Sequence, residues 1–272
     1  MIKKDIVAGL GEIGTPILQL ISKGTIVVGY DLNKKLMNEK QFVKYQFEET
    51  QFLHICIPFT KKFILNVISL AKKFKPKAIV IHSTISPNTT SKLQNQLNIP
   101  IIYSATRGVH ERMIDDLKRY TKFFALEKKA PKSKWAGSEF SKLMKKCGVK
   151  TKKLKDPLTL ELAKIVVDTS YYGWLINYAQ LSNLIAKKHG VDYDEMWSFA
   201  DEIHKNLGNR PKMYPGFIGG HCVIPNLELI KEESLYEIDK INNMYAKKVK
   251  NSKTIRKKYD KSKNSSYDSS KV

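Results

Sequence analysis

The sequence predicts an α/β chain: a parallel sheet covered by helices, then an all-helical segment organised round one long central helix. Two observations carry this expectation. Short β-branched runs alternate with amphipathic stretches through the first 155 residues. Between Leu158 and His189 no proline occurs, and apolar residues recur at helical spacing.

The strands are read first. KDIVAG, TIVVGYD, FLHICIP, KAIVIHST and IPIIYS are bounded by turn residues and predict buried strands. IGTPILQLISKG and TKKFILNVISLAKKF lie between them as amphipathic helices, so right-handed βαβ units and parallel pairing are expected. KFFALE and KTKKL are candidate further strands, flanking a helix at SEFSKLMKKCG. Asp156-Pro157 marks a change of texture. Leu160, Ala163, Val167, Trp174, Leu175, Tyr178, Leu181, Leu184 and Ile185 then keep helical period up to a Gly190 cap. YDEMWSFADEIHKNLG predicts a second helix, and a last one is expected from about Leu227. The chain thus divides into a β/α domain (1–155), a helical domain (156–245) and a basic, disordered tail (246–272).

Composition narrows the function classes. No apolar run reaches the roughly 18 residues of a membrane-spanning helix. The N-terminal MIKKDIVAGLGEIG reads as strand and turn rather than as a signal peptide. Cys56, Cys147 and Cys222 are too few and too widely spaced for a disulfide framework or a metal site, which fits a reducing cytoplasm. The net charge is +22, of which the tail holds +8, leaving +14 on the rest. That excess favours an anionic ligand. The tail is a candidate for contact with nucleic acid or an anionic membrane, or is simply solvated.

Gly9-Leu10-Gly11-Glu12-Ile13-Gly14 follows the first strand and opens the first helix. In that position a GxGxxG pattern predicts a dinucleotide site on a Rossmann-like sheet. The first glycine permits the turn, the second lets backbone approach a pyrophosphate, and the third lets helix pack on strand. Amides at the helix start, including those of Glu12 and Ile13, face the phosphates. Asp31, ending the second strand, is placed to bind a ribose hydroxyl and to repel a 2′-phosphate, so NAD is expected rather than NADP. Lys34 and Lys35 nearby oppose that preference.

Two places carry candidate chemistry. On the long helix Glu161, Lys164 and Asp168 share a face, either as a solvated charge stripe or as a site. Asp168, Asn177 and Asn183 are expected near buried surface, and Lys164 is a candidate acid/base or oxyanion-stabilising group. The segment PGFIGGHCVIPN presents Cys222 behind three glycines. It is a buried small hydrophobe or a nucleophile; as a nucleophile it would form a thiohemiacetal with an aldehyde, which a second hydride transfer converts to a thioester. His221 and Cys222 have no further metal ligands at useful spacing.

These motifs resemble the UDP-glucose/GDP-mannose (nucleotide-sugar) dehydrogenase family, especially its UDP-N-acetylmannosamine branch. The resemblance covers most of residues 1–230 and rests on the glycine fingerprint, ICIP (Ile55–Pro58), STISPNTT (Ser83–Thr90), ELAK (Glu161–Lys164) and GGHC (Gly219–Cys222). It implies oxidation of a sugar 6-hydroxyl to a carboxylate with two NAD, a thioester on Cys222, catalytic positions at Thr84, Lys164 and Asp168, and a cofactor contact near Pro58 and Thr84. It further implies a homodimer through the long helix, a cytoplasmic enzyme and a place in polysaccharide biosynthesis. Departures are present: Asn226, Thr106 and Asp168 stand where the family has Asp, Glu and Asn, and Ala179-Gln180 replaces its NE pair. The chain ends where the family's nucleotide-sugar-binding domain begins. A β-hydroxyacid dehydrogenase-like enzyme, for which Cys222 would be dispensable, and a non-catalytic dinucleotide-binding protein are the alternatives.

Overall fold

The computed structural model describes residues 2–209, 211–219 and 223–249. Contacts divide the chain into two compact units, Met1–Lys164 and Ile165–Val272.

The first unit holds seven strands: β1 (Lys3–Ala8), β2 (Val27–Tyr30), β3 (Glu49–Ile55), β4 (Ala78–Ile81), β5 (Ile101–Tyr103), β6 (Lys122–Leu126) and β7 (Thr151–Lys153). Their order across the sheet is β2-β1-β3-β4-β5-β6-β7, with β1 to β5 all parallel. Helices α1 (Gly14–Ile21), α2 (Glu39–Lys44), α3 (Phe63–Phe74), α4 (Thr89–Gln94), α5 (Met113–Arg119) and α6 (Ser133–Lys146) make the connections. Both sheet faces are covered, which is why the strands read as continuous apolar runs. Ile6, Leu53 and Ile79 pack with Phe63 and Val67 on one face. Val7, Phe52 and Val80 pack with Ile17 and Phe140 on the other.

Three features depart from the sequence reading. β6 pairs antiparallel to β5, with Tyr103 opposite Ala125, because residues 104–121, which pack α5 against α1, return the chain to the end of the sheet that β5 left. Helices α2 and α4 are only six residues long, too short to show an amphipathic period. The long helix is interrupted. α7 (Pro157–Leu162), capped where Asp156 accepts the Thr159 amide at 2.8 Å, leads into eight residues of π-type turn, Ala163–Ser170, before α8 (Tyr171–His189). The Ser170 hydroxyl donates to the carbonyls of Ile165 and Val166 at 2.7 and 3.0 Å, an alternative partner that goes with the widened turns.

In the second unit α8 packs with α9 (Tyr193–Leu207) and α11 (Glu233–Val249). Gly173, the one glycine of the long helix, sits where a Cβ would lie 2.9 Å from Val223 and 3.1 Å from Ile238. The expected last helix is two: α10 (Val223–Ile230) and α11, separated where Lys231 takes φ 56°. Among the described residues no helix is long and apolar enough to cross a membrane.

Candidate cofactor and active site

The chain leaves β1 toward β2 on one side and later adds β3 on the other, so the carboxyl end of β1 is a topological switch point. The glycine loop stands there. Gly9 has φ +90°, and a Cβ on it would press the Cys56 carbonyl group at 2.9 Å. A Cβ on Gly14 would lie 1.6 Å from the Gly9 carbonyl oxygen. Both glycines are therefore demanded by the fold itself. Gly11 is different: a Cβ there meets nothing within 4 Å, so its surface is open to a ligand that must approach backbone closely. Glu12 is exposed and Ile13 half-buried at the start of α1.

Asp31 is committed to this loop. One carboxylate oxygen accepts the Leu10 amide at 2.7 Å and the other accepts the Asn33 amide at 2.8 Å. Tyr30 beside it carries the Lys73 ammonium 4.1 Å from its ring centroid.

The ends of β3 and β4 form the next wall. Pro58 is exposed after β3, and Thr84 is half-buried after β4. The Ser83 hydroxyl donates to the Ile57 carbonyl at 2.6 Å and ties the two ends together. Glu161 on α7 is fully buried; its carboxylate accepts the Asn88 amide at 2.6 Å, the Thr90 amide at 2.9 Å and the Thr90 hydroxyl at 2.7 Å. Burial raises the Glu161 carboxyl, and these three bonds oppose the rise. Glu161 thereby fastens α7 to the STISPNTT turn, with Lys164, half-buried, one turn further on. Asp168 is exposed, against the expectation that it lies near buried surface, whereas Asn177 is buried. The π-type turns explain the difference, since they rotate side chains away from the positions a regular α-helix would give them.

Periodicity concealed a row of buried polar groups on the α1/α6 face of the sheet. Asp5, His54, His82, Ser104 and Lys122 come from β1, β3 and the ends of β4, β5 and the start of β6, and all are buried. Asp5 accepts the Phe52 amide at 3.0 Å and lies 3.4 Å from His54 Nε2. His54 Nδ1 stands 2.9 Å from His82 Nε2. Lys122 Nζ donates to the carbonyls of Ser104 at 3.1 Å and Ala105 at 3.5 Å. Burial pushes His82 well below the ordinary histidine range and brings Lys122 down to about 7. Cys56, whose Cβ faces Gly14, has its thiol pushed up to about 12 by burial. Thr106 is buried, with its amide on the His82 carbonyl at 3.1 Å and no partner for its hydroxyl. A parity signal was available: Lys122 keeps step with Phe124 and Leu126, His54 with Phe52, His82 with Val80, and Asp5 with Val7.

In the second unit the Pro215–Gly219 stretch is pinned from α11 and α8. The Asn242 side chain accepts the Ile218 amide at 2.8 Å and donates to its carbonyl at 3.0 Å. Tyr245 donates to the Pro215 carbonyl at 2.7 Å, and Gln180 donates to that of Gly216. Cys222, His221, Gly220 and most of the basic tail lie outside the described residues. No cluster of metal-ligating side chains occurs among the described residues.

No protein-family model and no curated protein matches the chain. Solved structures do. UDP-D-ManNAc dehydrogenase from Pyrococcus horikoshii superposes with a TM-score of 0.75 at 19% identity, over 91% of this chain and 70% of that one. UDP-N-acetyl-mannosamine dehydrogenase from Staphylococcus aureus gives 0.69 at 19% identity, over 90% and 69%. Mycobacterium tuberculosis 3-hydroxyisobutyrate dehydrogenase gives 0.65 at 15% identity, over 92% and 94%. These likenesses establish the fold, a Rossmann-like sheet followed by helices.

Proposed function

We propose that the chain is an NAD-dependent oxidoreductase that acts on a CH–OH group of an anionic substrate, in the manner of nucleotide-sugar dehydrogenases. The observation that carries this reading is the loop Gly9–Gly14: two of its glycines are required by packing, while Gly11 keeps an open backbone surface at the switch point. A bound NAD would accept hydride from the carbon that bears the hydroxyl. Gly11 and the amides at the start of α1 hold the pyrophosphate, and Asp31, anchored on the loop, takes the ribose and disfavours a 2′-phosphate. Pro58 and Thr84 line the nicotinamide end. Lys164, one turn beyond the Glu161 anchor of α7, takes the hydroxyl proton or steadies the developing oxyanion, with Asp168 four residues further along the chain.

Cys222 is assigned the second oxidation: its thiolate adds to the aldehyde, hydride leaves to a second NAD, and water releases the carboxylate from the thioester. Asn226 and Thr106, standing where the related family has acids, are expected to slow that release. The substrate class is a nucleotide sugar, and the product is a sugar acid of the kind used in polysaccharide synthesis. Assembly is proposed as a homodimer, supported by the exposed stripe Val167, Tyr171, Trp174, Tyr178 and Ile185 along the long helix. The compartment is proposed as the cytoplasm, supported by the small number of cysteines and by the free Cys56 and Cys147 among the described residues.

The test is NADH formation by the purified chain with NAD and a panel of UDP-, GDP- and dTDP-sugars, run beside Cys222→Ala. Two NADH per substrate, falling to one or none in the variant, support the reading. A second reading, a β-hydroxyacid dehydrogenase, is favoured by the 94% coverage of the 3-hydroxyisobutyrate enzyme. It predicts turnover of a 3-hydroxy acid that is indifferent to Cys222→Ala.

A further inference from the structure

Lys122 has no part in the chemistry above, yet it is 5% exposed in the interior and hydrogen-bonded to two backbone carbonyls. Those carbonyls belong to Ser104 and Ala105, at the end of β5. The same strand end is joined to β4, where the Ser104 amide donates to Ile81 at 2.9 Å and the Thr106 amide to His82 at 3.1 Å. The titratable and charged groups acting on Lys122 are Cys56 after β3, His82 after β4, Arg107 after β5 and Lys164 after α7. None of these four is a carboxylate. Cys56 in turn faces Gly14 of the cofactor loop.

The inference rests on the cofactor reading given above. A dinucleotide with its adenosine ribose at Asp31 on β2 and its pyrophosphate at Gly11 beyond β1 follows the strand order β2-β1-β3-β4. Its nicotinamide would then lie toward the carboxyl ends of β3 and β4, next to the end of β5 whose Ser104 and Ala105 carbonyls accept from Lys122. An oxidised nicotinamide carries a positive charge, and the reduced ring carries none. We propose that the buried Lys122 amine discriminates between the two oxidation states, opposing the cationic oxidised ring when it is charged and leaving the reduced ring unaffected.

Because burial brings Lys122 to about 7, the discrimination operates across neutrality. Binding of NAD drives the proton off Lys122. Affinity for NAD therefore rises with pH through that range and levels off above it, while affinity for NADH stays constant. The expected change for NAD is on the order of tenfold between about pH 6 and about pH 8.5.

The experiment is calorimetric titration of the full chain with NAD and with NADH, in buffer pairs of different ionisation heat. Wild type should release up to one proton on binding NAD near neutrality and none on binding NADH. Lys122→Gln, neutral but still a donor, should bind NAD with a flat pH profile at the high-pH affinity. Lys122→Arg, permanently charged, should bind it weakly at every pH, with NADH binding unchanged in both variants. Parallel pH profiles for NAD and NADH in wild type overturn the proposal alone, whether or not a variant folds. Failure to bind either cofactor overturns it together with the cofactor reading.

Discussion

Replacing Lys122 by methionine is expected to change how stability depends on pH. In an unfolded chain this lysine keeps its proton up to about pH 10.5, whereas burial brings it to about 7 in the fold. The folded value is depressed. Between the two values the unfolded state therefore binds more protons, and wild-type stability rises with pH at up to about 1.4 kcal/mol per pH unit. Below about pH 7 both states are protonated, so the slope vanishes there while the cost of a buried charge remains. Integrated from about pH 7 to about pH 10, wild type gains roughly 3 to 4 kcal/mol relative to Lys122→Met. That is a large share of the roughly 5–15 kcal/mol that holds a domain together. The variant also leaves the Ser104 and Ala105 carbonyls without Nζ, at about 1–3 kcal/mol per group. This loss is nearly independent of pH and shifts the difference curve without bending it. The assay is urea unfolding of both proteins in steps of pH, with the difference plotted. A flat difference between about pH 7 and about pH 10 would refute the claim that burial neutralises this lysine.

Four further substitutions separate fold from function. Gly14→Ala forces a Cβ to 1.6 Å from the Gly9 oxygen and should unfold or severely destabilise the first unit, whereas Gly11→Ala, facing open space, should leave the melting temperature nearly unchanged and weaken NAD binding by about tenfold or more. A Gly11→Ala protein that binds NAD normally would remove Gly11 from the cofactor site. Glu161→Gln keeps the shape but turns an amide toward donors already present at Asn88 and Thr90; a loss of about 2–3 kcal/mol in urea unfolding is expected. His82 is held neutral by burial, so its folded-state value lies below the unfolded one and stability should fall as pH drops below about 6.5. His82→Asn should flatten that acid limb in thermal melts.

The strands were legible because a parallel sheet covered on both faces writes itself as short β-branched runs, as at Ile79, Val80 and Ile81. Strand direction left no such mark. Nothing in KFFALE says that β6 runs against β5, since alternation is the same either way and only the 18-residue return decides. The π-type stretch Ala163–Ser170 escaped for a similar reason: over eight residues, apolar spacing does not separate 3.6 from about 4.4 residues per turn. Lys164 and Asp168 both lie in it, and Asp168, expected near buried surface because its segment is mostly apolar, is exposed. The glycine loop was legible at the level of individual roles, down to the contrast between Gly14, which packing demands, and Gly11, which it does not.

The polar row makes a sharper case. Asp5, His54, His82 and Lys122 each occupy an inward position on a strand that composition marks as apolar, and each was read as part of that run. Burying such groups costs free energy unless they are paired, and here the pairing is serial: Asp5 to His54, His54 to His82, and Lys122 to the Ser104 carbonyl. The two imidazoles at 2.9 Å share one proton between facing nitrogens and have no room for a second. Lys122 therefore ends the row as the group whose charge can change near neutrality with the least rearrangement, because its carbonyl partners accept from an amine as well as from an ammonium. A row built only for packing would be replaceable by Phe, Leu and Met of similar volume with no change in how NAD affinity depends on pH. A row that tunes the cofactor end would, under the same replacement, lose the pH dependence of NAD binding. The pH profile of NAD affinity, flat after the replacement and sloping before it, is the signature that distinguishes the two.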